Sequence, residues 1–83
     1  MNYRISDLKN FIESAGCRTL SEAAKKLEIT QPALSESIKR LEQDLGHILF
    51  YRSRSGINLT PTGRVTFEKA KSALSAILNV ESF

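Results

Sequence analysis

"TLSEAAKKLEITQPALSESIKRLEQDLG", residues Thr19 to Gly46, contains two helix starts separated by a very short connection. The first helix opens on a capping box, in which Thr19 can accept from the Glu22 amide while the Glu22 side chain reaches back. Leu20, Ala23, Ala24 and Leu27 recur on one face, and Lys25 and Lys26 fall on the other. The paired alanines let a second helix approach closely. "EIT" (28–30) is too short to turn two helices fully antiparallel, so it suits a steep crossing, the geometry of a helix-turn-helix unit. Ile29 is expected to plug the corner. Thr30 caps the second helix, and Pro32 fits its first turn, where a missing amide hydrogen costs nothing. Leu34, Ile38, Leu41 and Leu45 form its buried stripe, and Gly46 ends it as a left-handed C-cap.

Working outward, "ISDLKNFIESAG" (5–16) precedes this unit with Leu8, Phe11, Ile12 and Ala15 on one helical stripe. Ser6 is its expected N-cap, with a start one turn earlier as the alternative, and Gly16 its stop. Downstream, an apolar run Ile48–Tyr51 and a β-friendly run Ile57–Leu59 flank "RSRSG" (52–56), which reads as the tip of a β-hairpin, or wing. Thr60 then caps a fourth helix with Pro61 at its first position. That helix runs without a breaker from Gly63 to about Val80 and carries Phe67, Ala70, Leu74, Ile77 and Leu78 on one side. The expected fold is mainly α: a winged helix-turn-helix with a three-helix core, a two-stranded β-wing and a long C-terminal linker or dimerisation helix.

The chain has 83 residues, enough for one core. Hydrophobic content of 41% and charged content of 25% suit a globular domain. No apolar run approaches the ~20 residues of a membrane span, and "MNYRISDLKNF" lacks the pattern of a signal peptide. The expected location is therefore the compartment where the chain is made, the cytoplasm. Cys17 is the lone cysteine, read as a small, partly buried residue in a reducing compartment. The net charge of +3 is unevenly spread. Residues 1–38 and 65–83 each balance, so the excess lies in 39–64, where Lys39, Arg40, Arg52, Arg54 and Arg64 outnumber Glu42 and Asp44. A basic middle between neutral flanks suggests a polyanion on one side of the domain.

The first turn after Thr30 offers short or neutral groups suited to a helix tip entering the major groove. Gln31 can pair bidentately with adenine, Ser35 can donate or accept, and Pro32 and Ala33 can pack on a thymine methyl. The amides of that turn suit a phosphate, and Lys39 and Arg40 lie in reach of the flanking backbone. Arg52 and Arg54 sit two apart across the hairpin tip, placed for phosphates or a narrow minor groove. Taken singly, Gln-Pro-Ala is also just a good helix start, and exposed arginines also just solubilise a turn. Taken together, a helix-turn-helix followed directly by a basic hairpin points to binding of double-stranded DNA.

The segment "TLSEAAKKLEITQPALSESIKRLEQDLGHILFYRSRSGINLTPTG" resembles the N-terminal DNA-binding domain of LysR-type transcriptional regulators. The likeness is carried by Ala23-Ala24, Leu27, "QPALS" at 31–35, "RLE" at 40–42 and Leu45-Gly46. It continues through Leu49-Phe50 with Arg52, and through Leu59-Thr60 with Gly63. The resemblance implies a winged helix-turn-helix domain over 1–60, with the helix-turn-helix at about 20–39, a recognition helix at about 31–45 and a wing at about 49–60. Residues 61–83 then form the linker and dimerisation helix. By position, Gln31, Pro32, Ser35 and Glu36 become the base contacts, and Thr30, Lys39, Arg40, Arg52 and Arg54 the backbone or minor-groove contacts. Two positions depart from the family pattern. Thr30 stands where serine is usual, which preserves the cap. Glu36 stands where many members have a basic or neutral residue; its carboxylate either accepts from a cytosine amino group or swings aside to Lys39 or Arg40, the favoured alternative.

The fourth helix carries more apolar surface than three short helices can cover, so a homodimer through Phe67, Ala70, Leu74, Ile77 and Leu78, with Phe83 near the end, is expected. The resemblance further implies that an effector-binding domain is missing from this chain, which is then a fragment, or alternatively a naturally short protein, with no small-molecule response. An enzyme is the rival from another class. His47 is the only histidine and has no evident catalytic partners, and one Cys with one His makes no structural zinc site. No catalytic residue, metal or cofactor is therefore expected. The second rival is a winged-helix module that binds protein instead of DNA.

Overall fold

A computed structural model describes residues 3–81, with side chains described as far as residue 77. Four helices and one hairpin follow in the order α1 (Ile5–Ala15), α2 (Leu20–Leu27), α3 (Gln31–Leu45), β1 (Phe50–Ser53), β2 (Gly56–Leu59) and α4 (Pro61–Glu81). The capping residues explain most boundaries. Thr19 Oγ1 accepts from the Glu22 amide at 3.1 Å, Thr30 Oγ1 from the Ala33 amide at 3.2 Å, and Thr60 Oγ1 from the Gly63 amide at 2.8 Å. Gly46 closes α3 with φ 75°. The α1 start differs from the Ser6 expectation. Arg4 occupies the N-cap with no side-chain bond, so the helix begins at Ile5.

The core lies where the three short helices meet the root of the wing. Phe11, Leu34, Ile38, Leu41 and Leu49 are fully buried, each worth about 2–3 kcal/mol of apolar transfer. The Phe11 ring centroid lies 5.3 Å from that of Phe50 and 6.5 Å from that of Phe67, so one side chain ties α1 to both the wing and α4. Ala23 and Ala24 are buried as the close helix approach requires. Ile29 does not plug the corner: it is 38% exposed. Glu28 makes the turn instead, in the left-handed region at φ 58°, while the Ile29 amide returns to the Ala24 carbonyl at 3.0 Å.

The hairpin is tighter than the sequence suggested. Phe50 pairs with Leu59, Tyr51 with Asn58, Arg52 with Ile57 and Ser53 with Gly56, leaving only Arg54 and Ser55 as the tip. Arg52 is therefore a strand residue. Among the described residues, no helix is long and apolar enough to cross a membrane.

Candidate nucleic-acid interface

The position of α3 is set by a buried polar contact with α1. Asp7 is 1% exposed, yet its carboxylate is fully engaged. Ser37 Oγ donates to Oδ1 at 2.6 Å, Arg40 Nε donates to Oδ2 at 2.8 Å, and Arg40 Nη2 donates to Oδ1 at 2.8 Å. Asn10 Nδ2 adds a bond to Ser37 Oγ at 3.0 Å. The Arg40 hydrogen bonds, helped by Ser37, hold the Asp7 carboxyl below the ordinary carboxylate value against the opposing effect of burial. The same pair pushes the Arg40 guanidinium further up. Planar two-point pairing of this kind fixes angle as well as distance, so α3 crosses α1 at one rotation about its axis.

That rotation turns the α3 tip outward. Thr30, Gln31, Pro32, Ala33 and Glu36 are exposed, Ser35 is half-buried, and Leu34 alone of this run is fully buried. Lys39 is exposed one turn further along the helix. The wing is fastened beside this tip at three places. Glu42 Oε2 accepts from the Leu49 amide at 2.7 Å and the Phe50 amide at 3.4 Å, which starts β1 from the flank of α3. The Ile57 amide donates to the Arg18 carbonyl at 2.9 Å, which stitches β2 to the loop before α2. A Cβ on Gly56 would lie 2.1 Å from that carbonyl, so only glycine admits this approach. At the wing's foot, the Thr60 amide donates to the Leu49 carbonyl at 2.9 Å and Thr60 Oγ1 to the Ile48 carbonyl at 2.7 Å.

Between α2, the α3 tip and the wing lies an open groove of about 340 Å³, with Ser21, Gln31, Ser35, Arg52 and Arg54 among its lining residues. The structure thus brings Gln31, Ser35, Arg52 and Arg54 to one face. Arg52 points back towards α3, its Nη1 donating to Ser35 Oγ at 2.9 Å and its Nη2 lying 3.9 Å from Glu42 Oε1. Arg54, at the tip, is exposed.

Three expected roles need correction. Arg40 was expected to reach a neighbouring backbone; its Nε and Nη2 are bound to Asp7 instead, because a buried carboxylate needs a cation. Glu36 was expected to swing towards Lys39 or Arg40; it makes no ion pair among the described residues, Arg40 being engaged elsewhere. On α4, Ala70 is 4% exposed and Phe67 packs on Phe11, so both belong to the domain's own core and not to a free dimer face. Val65, near the start of α4, is 54% exposed. Leu74 is half-buried and Ile77 is 43% exposed. The Leu78 side chain and Phe83 lie outside the described residues.

Sequence reasoning missed Asp7, Ser37 and Glu42 as the groups that orient the site. Their signal was present. Asp7 precedes Phe11 by four residues and Ser37 follows Leu34 by three, so both polar groups fall on otherwise apolar stripes. Glu42 lies seven residues after Ser35, on the same face of α3.

Residues 5–64 match the family model described as "Bacterial regulatory helix-turn-helix protein, lysR family". The uncharacterized HTH-type transcriptional regulator YcgK of Bacillus subtilis (strain 168) is 48% identical over 59 residues, covering 71% of this chain and 18% of the relative. The HTH-type transcriptional regulator BudR of Klebsiella aerogenes is 44% identical over 63 residues, covering 76% of this chain and 44% of the relative. The chain spans less than half the length of both relatives. The crystal structure of a CbnR_DBD–DNA complex has a TM-score of 0.92 at 34% identity, covering 95% of this chain and 91% of that one. A BenM_DBD/benA site 1 DNA complex has a TM-score of 0.89 at 32% identity, covering 95% and 89%.

Proposed function

The chain belongs to the LysR family of bacterial regulatory helix-turn-helix proteins, and from that premise we propose that this DNA-binding domain reads duplex DNA with the α3 tip while the wing holds the flanking backbone. The observation that carries this reading is the outward face shared by Gln31, Ser35, Arg52 and Arg54, with Pro32 and Ala33 exposed on the same helix tip. Gln31 offers the paired donor and acceptor that match an adenine edge, and Pro32 and Ala33 offer apolar contact for a thymine methyl. Glu36 is the group for a cytosine amino, since no cation among the described residues pairs with it. Thr30, Lys39 and Arg54 hold phosphates, and such contacts fix register without carrying sequence information.

Residues 1–60 form the reading unit and 61–83 the arm that pairs two copies. Leu74, Ile77 and the residues beyond them supply the homodimer contact, because Phe67 and Ala70 already pack on their own domain. Pairing would set two α3 tips at half-sites on promoter or operator DNA. We further assign this DNA-binding domain to the cytoplasm, at the nucleoid.

Selection of bound sites from random duplexes tests the reading. The expected outcome is one preferred half-site, recovered as a two-fold repeat. Affinity should fall with log salt at a slope of about −0.9 per phosphate contacted. Binding indifferent to salt and to duplex sequence would refute it in favour of a protein partner.

A further inference from the structure

Arg52 lies on the wing but bonds to the reading helix, and this placement separates it from Arg54. Its Nη1 donates to Ser35 Oγ at 2.9 Å, and its Nη2 faces Glu42 Oε1 at 3.9 Å, the two acceptors lying on one face of α3 two turns apart. Glu42 is itself held through the other oxygen of its carboxylate by the Leu49 and Phe50 amides. A continuous chain of contacts therefore runs from the root of β1 through Glu42 and Arg52 to Ser35. The Arg52 side chain is 30% exposed and its bond to Ser35 lies at the surface, within reach of a duplex.

A serine hydroxyl has one proton and two lone pairs and rotates freely when nothing restrains it. Here one lone pair accepts from a cation. That fixes the hydroxyl oxygen in place, polarises the O–H bond and turns the proton away from the guanidinium. A polarised, oriented O–H is the stronger donor for guanine O6 or N7, adenine N7 or thymine O4, while the one lone pair left is weakened by the cation and is the poorer partner for an amino group. We propose that Arg52 is a specificity-determining positioning residue, which sets how Ser35 reads its base pair. The proposal rests on the DNA-reading role above and revises the simple division in which the wing supplies only unspecific grip.

The test compares wild type with Ser35→Ala, Arg52→Ala, Arg52→Lys, Arg54→Ala and the Ser35→Ala/Arg52→Ala double variant. Each binds the selected duplex, its single-base-pair variants and a random duplex, with thermal melts confirming that each is folded. Wild type must first prefer one duplex over random sequence; failure there sinks the proposed function itself. The inference then expects Ser35→Ala to lose discrimination at one base pair by roughly 5- to 100-fold. Arg52→Ala should lose it at the same pair, and the double variant should lose no more. Arg52→Lys keeps the charge without the fork, so its affinity for random duplex should fall less than that of Arg52→Ala while the preference at that pair is not restored. Arg54→Ala should weaken every duplex by one common factor. The inference is overturned if Arg52→Ala leaves every base preference intact, if Arg52→Lys restores the preference, or if the two alanine substitutions act additively on it.

Discussion

Replacing Gly63 with alanine sets two effects of known sign against each other. Gly63 is the third residue of α4, and in a helix alanine is favoured over glycine by about 1 kcal/mol. Propensity alone therefore predicts a more stable protein. The new Cβ, however, would lie 2.1 Å from the Leu49 carbonyl oxygen and 2.9 Å from its carbon. Reaching an ordinary contact of 3.4 Å requires the helix start and the wing root to part by about 1.3 Å. That movement breaks the 2.9 Å bond from the Thr60 amide to the same carbonyl and strains the Thr60 cap. Overpacking costs about 1–3 kcal/mol and the lost hydrogen bond about 1. After the helix gain, the net destabilisation is about 1–3 kcal/mol. For a domain of this size, that lowers Tm by roughly 5–20 °C. Thermal melts followed by circular dichroism measure it, with Ser72→Ala on an exposed turn of the same helix as the control. An equal or higher Tm for Gly63→Ala would refute the steric reading.

Three further outcomes follow from the same contacts. The Asp7 carboxyl titrates below its ordinary 3.8 in the folded state, so its stabilisation is complete above that value and is lost as pH falls through the lower folded value. Asp7→Asn should melt earlier at neutral pH and lose less on acidification below about pH 4; parallel acid profiles for the two proteins would count against the Asp7–Arg40 pair. Gln31→Ala should cost about 1–3 kcal/mol on the selected duplex with little change on random DNA, as read by competition binding. Glu36→Gln removes a carboxylate from a face that meets DNA, so affinity for random duplex should rise several-fold at low salt; no change would show that the charge is neutralised elsewhere.

Much of the fold was legible in the sequence because local rules dictate it. Thr19, Thr30 and Thr60 are caps whose chemistry acts within three residues, and the stripes of α1 and α3 follow from one helical period. The outward α3 tip was legible for the same reason, since Leu34 alone continues its apolar stripe. Partner choice was harder, because it depends on side chains brought together across long stretches of chain. Arg40 carries no local mark to distinguish a cation turned towards α1 from one turned towards a ligand; only the acid at position 7, on the apolar side of another helix, settles it. Arg52 was placed in a loop because "RSRSG" is rich in turn formers, whereas pairing with Ile57 extends the strand by two residues beyond Tyr51. Ile29 illustrates the reverse case. An apolar side chain in a turn was expected inside, but the buried alanines of α2 bring the helices together without it.

The Arg18 carbonyl that receives the Ile57 amide also determines how the hairpin meets its target. A two-stranded ribbon held only at its base would swing, and ordering it on contact would consume part of the gain from each arginine. Anchored near its tip to the loop ahead of α2, this ribbon arrives preorganised. Association should then proceed as the docking of one stiff body, with a heat-capacity change set by the surface covered and no added component from folding on arrival.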